Sequence, residues 1–455
     1  MRRTRPCVAA LPPGTRDERI RRIVSTVPLP EPAGGRRVMR VGTCQVDITP
    51  APGGELCGFA ARTQPSTGLL DPLYARVLYL ESRGERLLWV HCDLIGLDNG
   101  IVTSFRRWAE CSRGLALDRV LLTASHTHSG PATIHLREAG SFDAAYVALL
   151  ETKLQEASVA AASCTEEAAV VGVEGRLDLA VDRRGQASAH TDPRVAAVGF
   201  RRPDGSFVAV VANYAVHPVA LGAENRQISA DLHGQAAARL SALLPGAPVV
   251  LFTNGACGNL NPPALGVPFE QVCDWGGEMA AAVAGPLATA APRTDDSLRV
   301  ACRVVPLALE VIDEDSLRRL CDSALSLPSA AAWGEKYRRV VGAWAADQRR
   351  ALEVSHPTHR VAEIFAVRLG GAYFVGVNAE VFSAFSPLLR GCAGGPVYPV
   401  GYANGNWGYL ASREAYEEGG YEVEEAHFFY GGLRPQAGSL ELLADEACRL
   451  LSALG

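Results

Sequence analysis

Residues 119–131 read Arg119-Val120-Leu121-Leu122-Thr123-Ala124-Ser125-His126-Thr127-His128-Ser129-Gly130-Pro131. The stretch Arg119–Ala124 is apolar and short, as a buried strand is. Gly130-Pro131 then stops the extension and sets a turn, because proline gives no backbone donor and fixes its own φ. A strand therefore runs straight into a polar turn that carries two imidazoles. In an extended segment residues i and i+2 point to one side. His126 and His128 are thus expected to face one pocket, as two ligands or as one ligand with an acid–base group beside it. Two surface histidines are the plainer alternative, and a tight turn directly after a buried strand argues against it.

The same logic recurs twice. Val195–Arg201 and Ser206–Tyr214 flank Pro203-Asp204-Gly205 as a hairpin whose second strand delivers His217-Pro218. Phe365–Val377 reads as two short strands around Gly370-Gly371, and the second delivers Glu380. Alone, His217 or Glu380 is as easily a strand-end cap. Together with the His126/His128 turn they form a set, and strand ends of an open α/β sheet are where such sets meet a ligand. Imidazoles plus one carboxylate make a catalytic zinc set with a position left for water, whereas magnesium or calcium would want mostly oxygen.

The rest of the chain supplies the frame. Strands are expected at Val38–Asp47, Ala75–Leu80, Leu88–Asp93, Pro248–Thr253 and Leu298–Leu309. Helices are expected at Tyr146–Ala162, Leu232–Leu244, Gly276–Ala288 and Leu440–Leu454, with a helical hairpin over Asp315–Val354 that turns at Pro328. Gly391–Gly432, dense in Gly, Tyr and Asn, reads as long loops. This interleaving, with no low-complexity linker, predicts an α/β fold: a single large domain over 38–455 with mixed β-sheets flanked by helices, and room for internal pseudo-symmetry. Residues 1–37 are expected to be a flexible N-terminal extension.

Composition narrows the function classes. The 455 residues are 48% hydrophobic and 20% charged, enough for a large core and unlike a disordered chain. A net charge of −5 gives no reason to expect nucleic acid as a partner. No apolar run reaches the ~18 residues of a transmembrane helix. Cys7–Leu11 is too short for a secretory leader, so a cytoplasmic location is expected. The twelve cysteines include no CxxC pair and are expected to be scattered, reduced and mostly buried, a disulfide framework being the alternative. The expected partner is a small-molecule substrate, and a homo-oligomer is compatible with the composition.

Several further blocks stand in order with these: Val46-Asp47-Ile48-Thr49-Pro50, Asn213-Tyr214-Ala215-Val216-His217-Pro218, Ser229-Ala230-Asp231, Asn254-Gly255-Ala256-Cys257-Gly258-Asn259, Glu380-Val381-Phe382 and Ala403-Asn404-Gly405-Asn406-Trp407-Gly408-Tyr409. With the His-Thr-His-Ser-Gly-Pro block, the series resembles the catalytic domain of the neutral/alkaline (non-lysosomal) ceramidases and their bacterial relatives. The resemblance implies that fold and a zinc-dependent hydrolase cleaving the amide of an N-acylated sphingoid base. It also implies Zn2+ on His126, His217, Glu380 and Tyr409, with His128 beside the metal in contact with the reacting oxygen. One departure bears on the substrate. The family's Gly-Asp-x-Ser-Pro, whose serine is regarded as catalytic, is here Gly258-Asn259-Leu260-Asn261-Pro262. Asn261 is no nucleophile, though its amide can orient substrate or stabilise an oxyanion. The family's immunoglobulin-like C-terminal domain and secretory leader are not expected here.

The expected activity is therefore zinc-dependent cleavage of a linear amide in a small or lipid-like N-acyl compound, not necessarily ceramide. A tailoring reaction of secondary metabolism at the same metal (ester or lactam hydrolysis, acyl transfer) and a non-catalytic ligand-binding protein are the alternatives. Among supporting residues, Asp231 is expected either to orient His217 or His128 or to cap a helix, and Asp93 either to face the same pocket or to cap a helix or turn. An arginine for an anionic group lies among Arg176, Arg137 and Arg194, and Arg176 is the one chosen. Tyr402, Trp407 and Tyr409 either grip the substrate or pack their glycine-rich loop.

Overall fold

A computed structural model of the chain describes residues 39–293, 295–354 and 357–455; the expected N-terminal extension lies outside the described residues. Eight strands form the larger sheet: β1 Met39–Asp47, β2 Tyr74–Ser82, β3 Glu85–Cys92, β4 Val120–Ala124, β5 Thr165–Arg176, β6 Arg194–Arg201, β7 Phe207–Tyr214 and β8 Val249–Asn254. Their order is β8-β7-β6-β5-β1-β2-β3-β4. Four more make a second sheet in sequential order: β9 Leu298–Ala308, β10 His359–Leu369, β11 Ala372–Val377 and β12 Val397–Val400.

The pairing shows one module used three times. In β1–β4, in β5–β8 and in β9–β12, the first three strands pair antiparallel and the fourth joins the third in parallel. A parallel partner needs a crossover. Helix α1 (Asn99–Arg113) supplies it in the first module, a helix over Asp231–Leu243 in the second, and the short Phe385–Leu388 helix in the third. The first two modules join through β1 and β5. Because third and fourth strands are parallel, their C-terminal ends leave each module side by side.

The layers are helices, large sheet, small sheet, helix. Leu78 and Leu80 of β2 face Phe365, Val367 and Phe374 across the sheet–sheet core. The alternate residues Ala75, Val77 and Tyr79 face Phe105 of α1 and Leu150 and Leu154 of the Ala144–Ser163 helix. That alternation is the period of two of a strand covered on both sides. Beyond the small sheet, Leu440, Leu443 and Leu451 of the Ser439–Leu454 helix cover Ile364, Ala366 and Val375. The hairpin of Glu314–Ala324 and Pro328–Val354 packs on Phe428 and Phe429. Asn404 fastens the sheets at the functional end, exchanging bonds with the Leu122 backbone at 2.7 and 2.9 Å. Among the described residues no helix is long and apolar enough to cross a membrane.

Three expectations are corrected. Helix α1 and strand β5 were not read as elements. The α1 apolar positions, Ile101, Val102, Phe105 and Ala109, are sparse among charges, and β5 is broken up by Glu and Gly. The Gly391–Gly432 stretch is not loop alone: it holds β12 and the short helices Arg413–Glu418, Tyr421–Glu424 and Ala426–Tyr430. The cysteines are not all free thiols either, since Cys392 and Cys448 form a disulfide that ties the last helix to the loop after the third crossover.

Candidate metal centre

Each module sends side chains to one shared place. β3 and β4 end together at Cys92 and Ala124, and the Ser125 and His126 amides then bond the carbonyls of Cys92 and Leu94 at 3.0 and 2.8 Å. His126 is not extended as expected; its φ is 75°. Histidine is among the few non-glycine residues enriched in that left-handed region. The turn is pinned by Thr127, whose hydroxyl donates to the Ser229 carbonyl at 2.8 Å. From the second module comes His217, three residues past β7, and from the third comes Glu380, three residues past β11.

The ring nitrogens of His126, His128 and His217 lie within 4.8 Å of one another. His126 directs Nδ1 to the Ile95 carbonyl at 2.6 Å, and His217 directs Nδ1 to the Cys257 carbonyl at 2.9 Å. A carbonyl only accepts, so both imidazoles carry their proton on Nδ1 and present a bare Nε2. Those two Nε2 atoms stand 3.2 and 3.3 Å from Glu380 Oε2. Two lone pairs thus meet a carboxylate oxygen in a site where all three residues are buried. Nε2 of His217 has no hydrogen-bond partner among the described residues, which costs about 1–3 kcal/mol for a buried polar atom. A divalent cation fits this donor set.

His128 lies beside the set, with Nε2 3.2 Å from Nε2 of His126 and Nδ1 buried and unpartnered. Burial pushes its pKa well below the usual value, so the ring is neutral. Since His126 Nε2 is bare, the tautomer that fits has the His128 proton on Nε2. Gly58 leaves room for this ring: a Cβ there would fall 2.4 Å from His128 Nδ1. Gly258 likewise admits the Glu380 backbone, with a Cβ only 2.7 Å from its carbonyl oxygen.

The chain matches no protein-family model and no curated protein sequence. Solved structures do match. The neutral ceramidase from Pseudomonas aeruginosa superposes with a TM-score of 0.69 at 19% identity, over 92% of this chain and 75% of that one. A ceramidase complexed with C2 gives 0.69 at 18%, over 92% and 76%. The chain shares the fold of these ceramidases. At these identities the fold is what is shared.

On this ceramidase fold the residues singled out from sequence separate into two groups. His126, His128, His217 and Glu380 come together. Tyr409 is next to Glu380 in the short ladder pairing Glu380–Val381 with Tyr409–Leu410, and its hydroxyl accepts from Arg183 at 3.1 Å. Asn261 meets the same arginine, accepting at 3.1 Å on Oδ1. Asn259 is taken up by Ser383 and Asp182.

The other group is elsewhere. Arg176 is exposed and paired with Asp178. Arg137 pairs with Asp347, and Arg194 with Asp192. Asp231 orients no imidazole; its carboxylate accepts from the Leu232 and Leu221 amides, and backbone carbonyls hold the histidines instead. Asp93 is closed by Arg76 at 2.8 Å.

Sequence reasoning missed Arg183, Tyr430 and the position of Tyr402. The Tyr430 hydroxyl donates to Glu380 Oε1. Tyr402 stacks on His126 with centroids 3.9 Å apart and planes 11° apart, and reaches Glu380 Oε2 at 3.5 Å. Burial, and for both rings the Glu380 charge, keep Tyr402 and Tyr430 well above the ordinary phenol pKa, so both hydroxyls remain protonated. Trp407 packs its loop through an Nε1 bond to Asn378 at 3.2 Å.

Proposed function

We propose that this chain is a zinc-dependent hydrolase that cleaves a linear amide in a small or lipid-like N-acyl compound. What carries the reading is the meeting of His126 Nε2, His217 Nε2 and Glu380 Oε2, three acceptors with separations of 3.2 and 3.3 Å to the carboxylate. In the proposal these residues hold the ion, and Tyr409 completes or flanks the shell. Mixed nitrogen and oxygen donors favour zinc over magnesium or calcium. Zinc bound there polarises an acyl oxygen and makes a water acidic enough to react near neutral pH.

The chain's own groups then have defined tasks. His128 donates from Nε2 to the oxyanion as it develops or, in its other tautomer, takes the proton of the attacking water and returns it to the leaving nitrogen. Tyr430 and Tyr402 donate to Glu380 and fix its rotamer. Arg183 holds Tyr409 and Asn261 in one cluster, which leaves Asn261 free to orient substrate through its amide NH2. The ceramidase likeness supports amide chemistry, and Asn261 in place of a serine supports a substrate other than ceramide.

Metal analysis of the purified protein and a panel of N-acyl amides, esters and lactams test the reading. Stoichiometric zinc and amide turnover that is lost in His126→Ala are expected. Absence of a transition metal together with full activity in that variant would sink it, and turnover of esters or lactams alone would replace amide cleavage by a tailoring reaction. The proposed location is cytoplasmic, and recovery of the protein in the cytosolic fraction of its cells is the expected result.

A further inference from the structure

Tyr409 and Tyr430 also line a second space, a small cleft of about 20 Å³ bounded by Arg360, Trp407, His427 and Arg434 among others. None of the three clustered histidines lines it. Its charges are unequally matched. Arg434 pairs with Glu310, and Glu422, the acid in the lining, is neutralised by Arg183 and Arg184. Arg360 has no carboxylate within 4 Å among the described residues, and its one hydrogen bond runs from Nη1 to the Trp407 carbonyl at 3.2 Å. A guanidinium has five N–H donors, so most of the fork is unused.

Placement of that fork is specific. Its carbon lies 5.3 Å from the Trp407 ring centroid, a cation–π contact. Its Nη2 passes over Gly432, where a Cβ would be only 1.7 Å away. Beside it, His427 is held against Trp344 and Phe428, with ring centroids 5.4 and 4.0 Å away, and its Nδ1 is buried without a partner. Burial pushes the His427 pKa down to about 3, so this imidazole is a neutral hydrogen-bonding group.

We propose that the cleft behind Tyr409 and Tyr430 binds the carboxylate of a small organic acid, with Arg360 as the forked donor and His427 as a hydrogen-bonding neighbour. A planar monoanion matches one guanidinium with two parallel N–H groups. At about 20 Å³ the cleft has room for the carboxylate itself, so an apolar remainder would stay outside, at its mouth. This site goes beyond the proposed hydrolysis and does not depend on it.

Calorimetric titration of the whole protein with formate and acetate, at constant ionic strength and with and without chelator, tests the assignment. Saturable binding that survives chelation is expected, at least about tenfold weaker in Arg360→Gln and unchanged in Arg318→Gln, an exposed arginine of the helical hairpin. No saturable binding, binding unchanged in Arg360→Gln, or phosphate binding as tightly as either acid would overturn it. Binding abolished by chelation would do the same, since the acid would then sit on a metal. Should Arg360→Gln fail to fold, Arg360→Lys decides: it keeps the charge but not the fork, so several-fold weaker binding supports the assignment and unchanged binding defeats it.

Discussion

The third strands of the first and third modules end at buried carboxylates, Asp93 and Glu380, each about 1% exposed. Their surroundings differ. Asp93 is met by Arg76 from the neighbouring strand, at 2.8 Å to both oxygens, and by the Tyr74 amide at 2.9 Å. Glu380 is met by two bare imidazole nitrogens and by tyrosine hydroxyls. One topology thus yields two kinds of acid. Where the chain supplies the counter-charge, the carboxylate is part of the frame; where it supplies imidazole lone pairs and neutral hydroxyls instead, the carboxylate is left able to hold a cation.

This contrast can be broken most severely at Glu380. Glu380→Gln is expected to lose stoichiometric metal and to lower turnover at least about 1000-fold, while unfolding at a denaturant concentration near that of the parent. Full metal content, read by elemental analysis, would erase the distinction. Asp93→Asn is the mirror experiment. It leaves Arg76 buried without its charge partner, and a loss of about 3–5 kcal/mol in urea unfolding is expected. The folded fraction should keep its metal; loss of metal with unchanged stability would make Asp93 part of the centre.

Smaller effects sharpen the comparison. Tyr430→Phe removes the donor on Glu380 Oε1 and is expected to weaken metal binding about tenfold, measured by competition with a chromophoric chelator. In Asn261→Ala, loss of the Arg183 contact is expected to lower kcat/KM about fivefold, the equivalent of ~1 kcal/mol. Unchanged turnover would take Asn261 out of the working set.

How much of this was legible followed the physics of each residue. His126, His217 and Glu380 stand directly after strands whose apolar runs announce them, so sequence position foretold place. The fold class followed from the same alternation of strands and helices. Tyr430 gave no such signal: it ends a short helix 50 residues beyond the acid it touches, in a stretch rich in tyrosine. Arg183 and Arg176 differ by seven positions, and which one turns inward depends on the two-residue pairing of Val181–Asp182 with Leu260–Asn261, a contact no local pattern encodes. The readable hint was Asp182, whose side chain accepts from the Arg184 and His190 amides and holds that segment in place. Helix α1 was readable from its ends, since Asp98 caps it and Gly114 closes it in the left-handed region.

The carbonyls of Ile95 and Cys257 have a consequence for how such a centre ages. Both key imidazoles take their tautomer from main-chain oxygens, which every amino acid possesses. Substitution at position 95 or 257 changes the packing and leaves the acceptor behind, whereas an aspartate in that role would be lost in one step. The chain can therefore change at both positions and still aim the same two nitrogens at the same point.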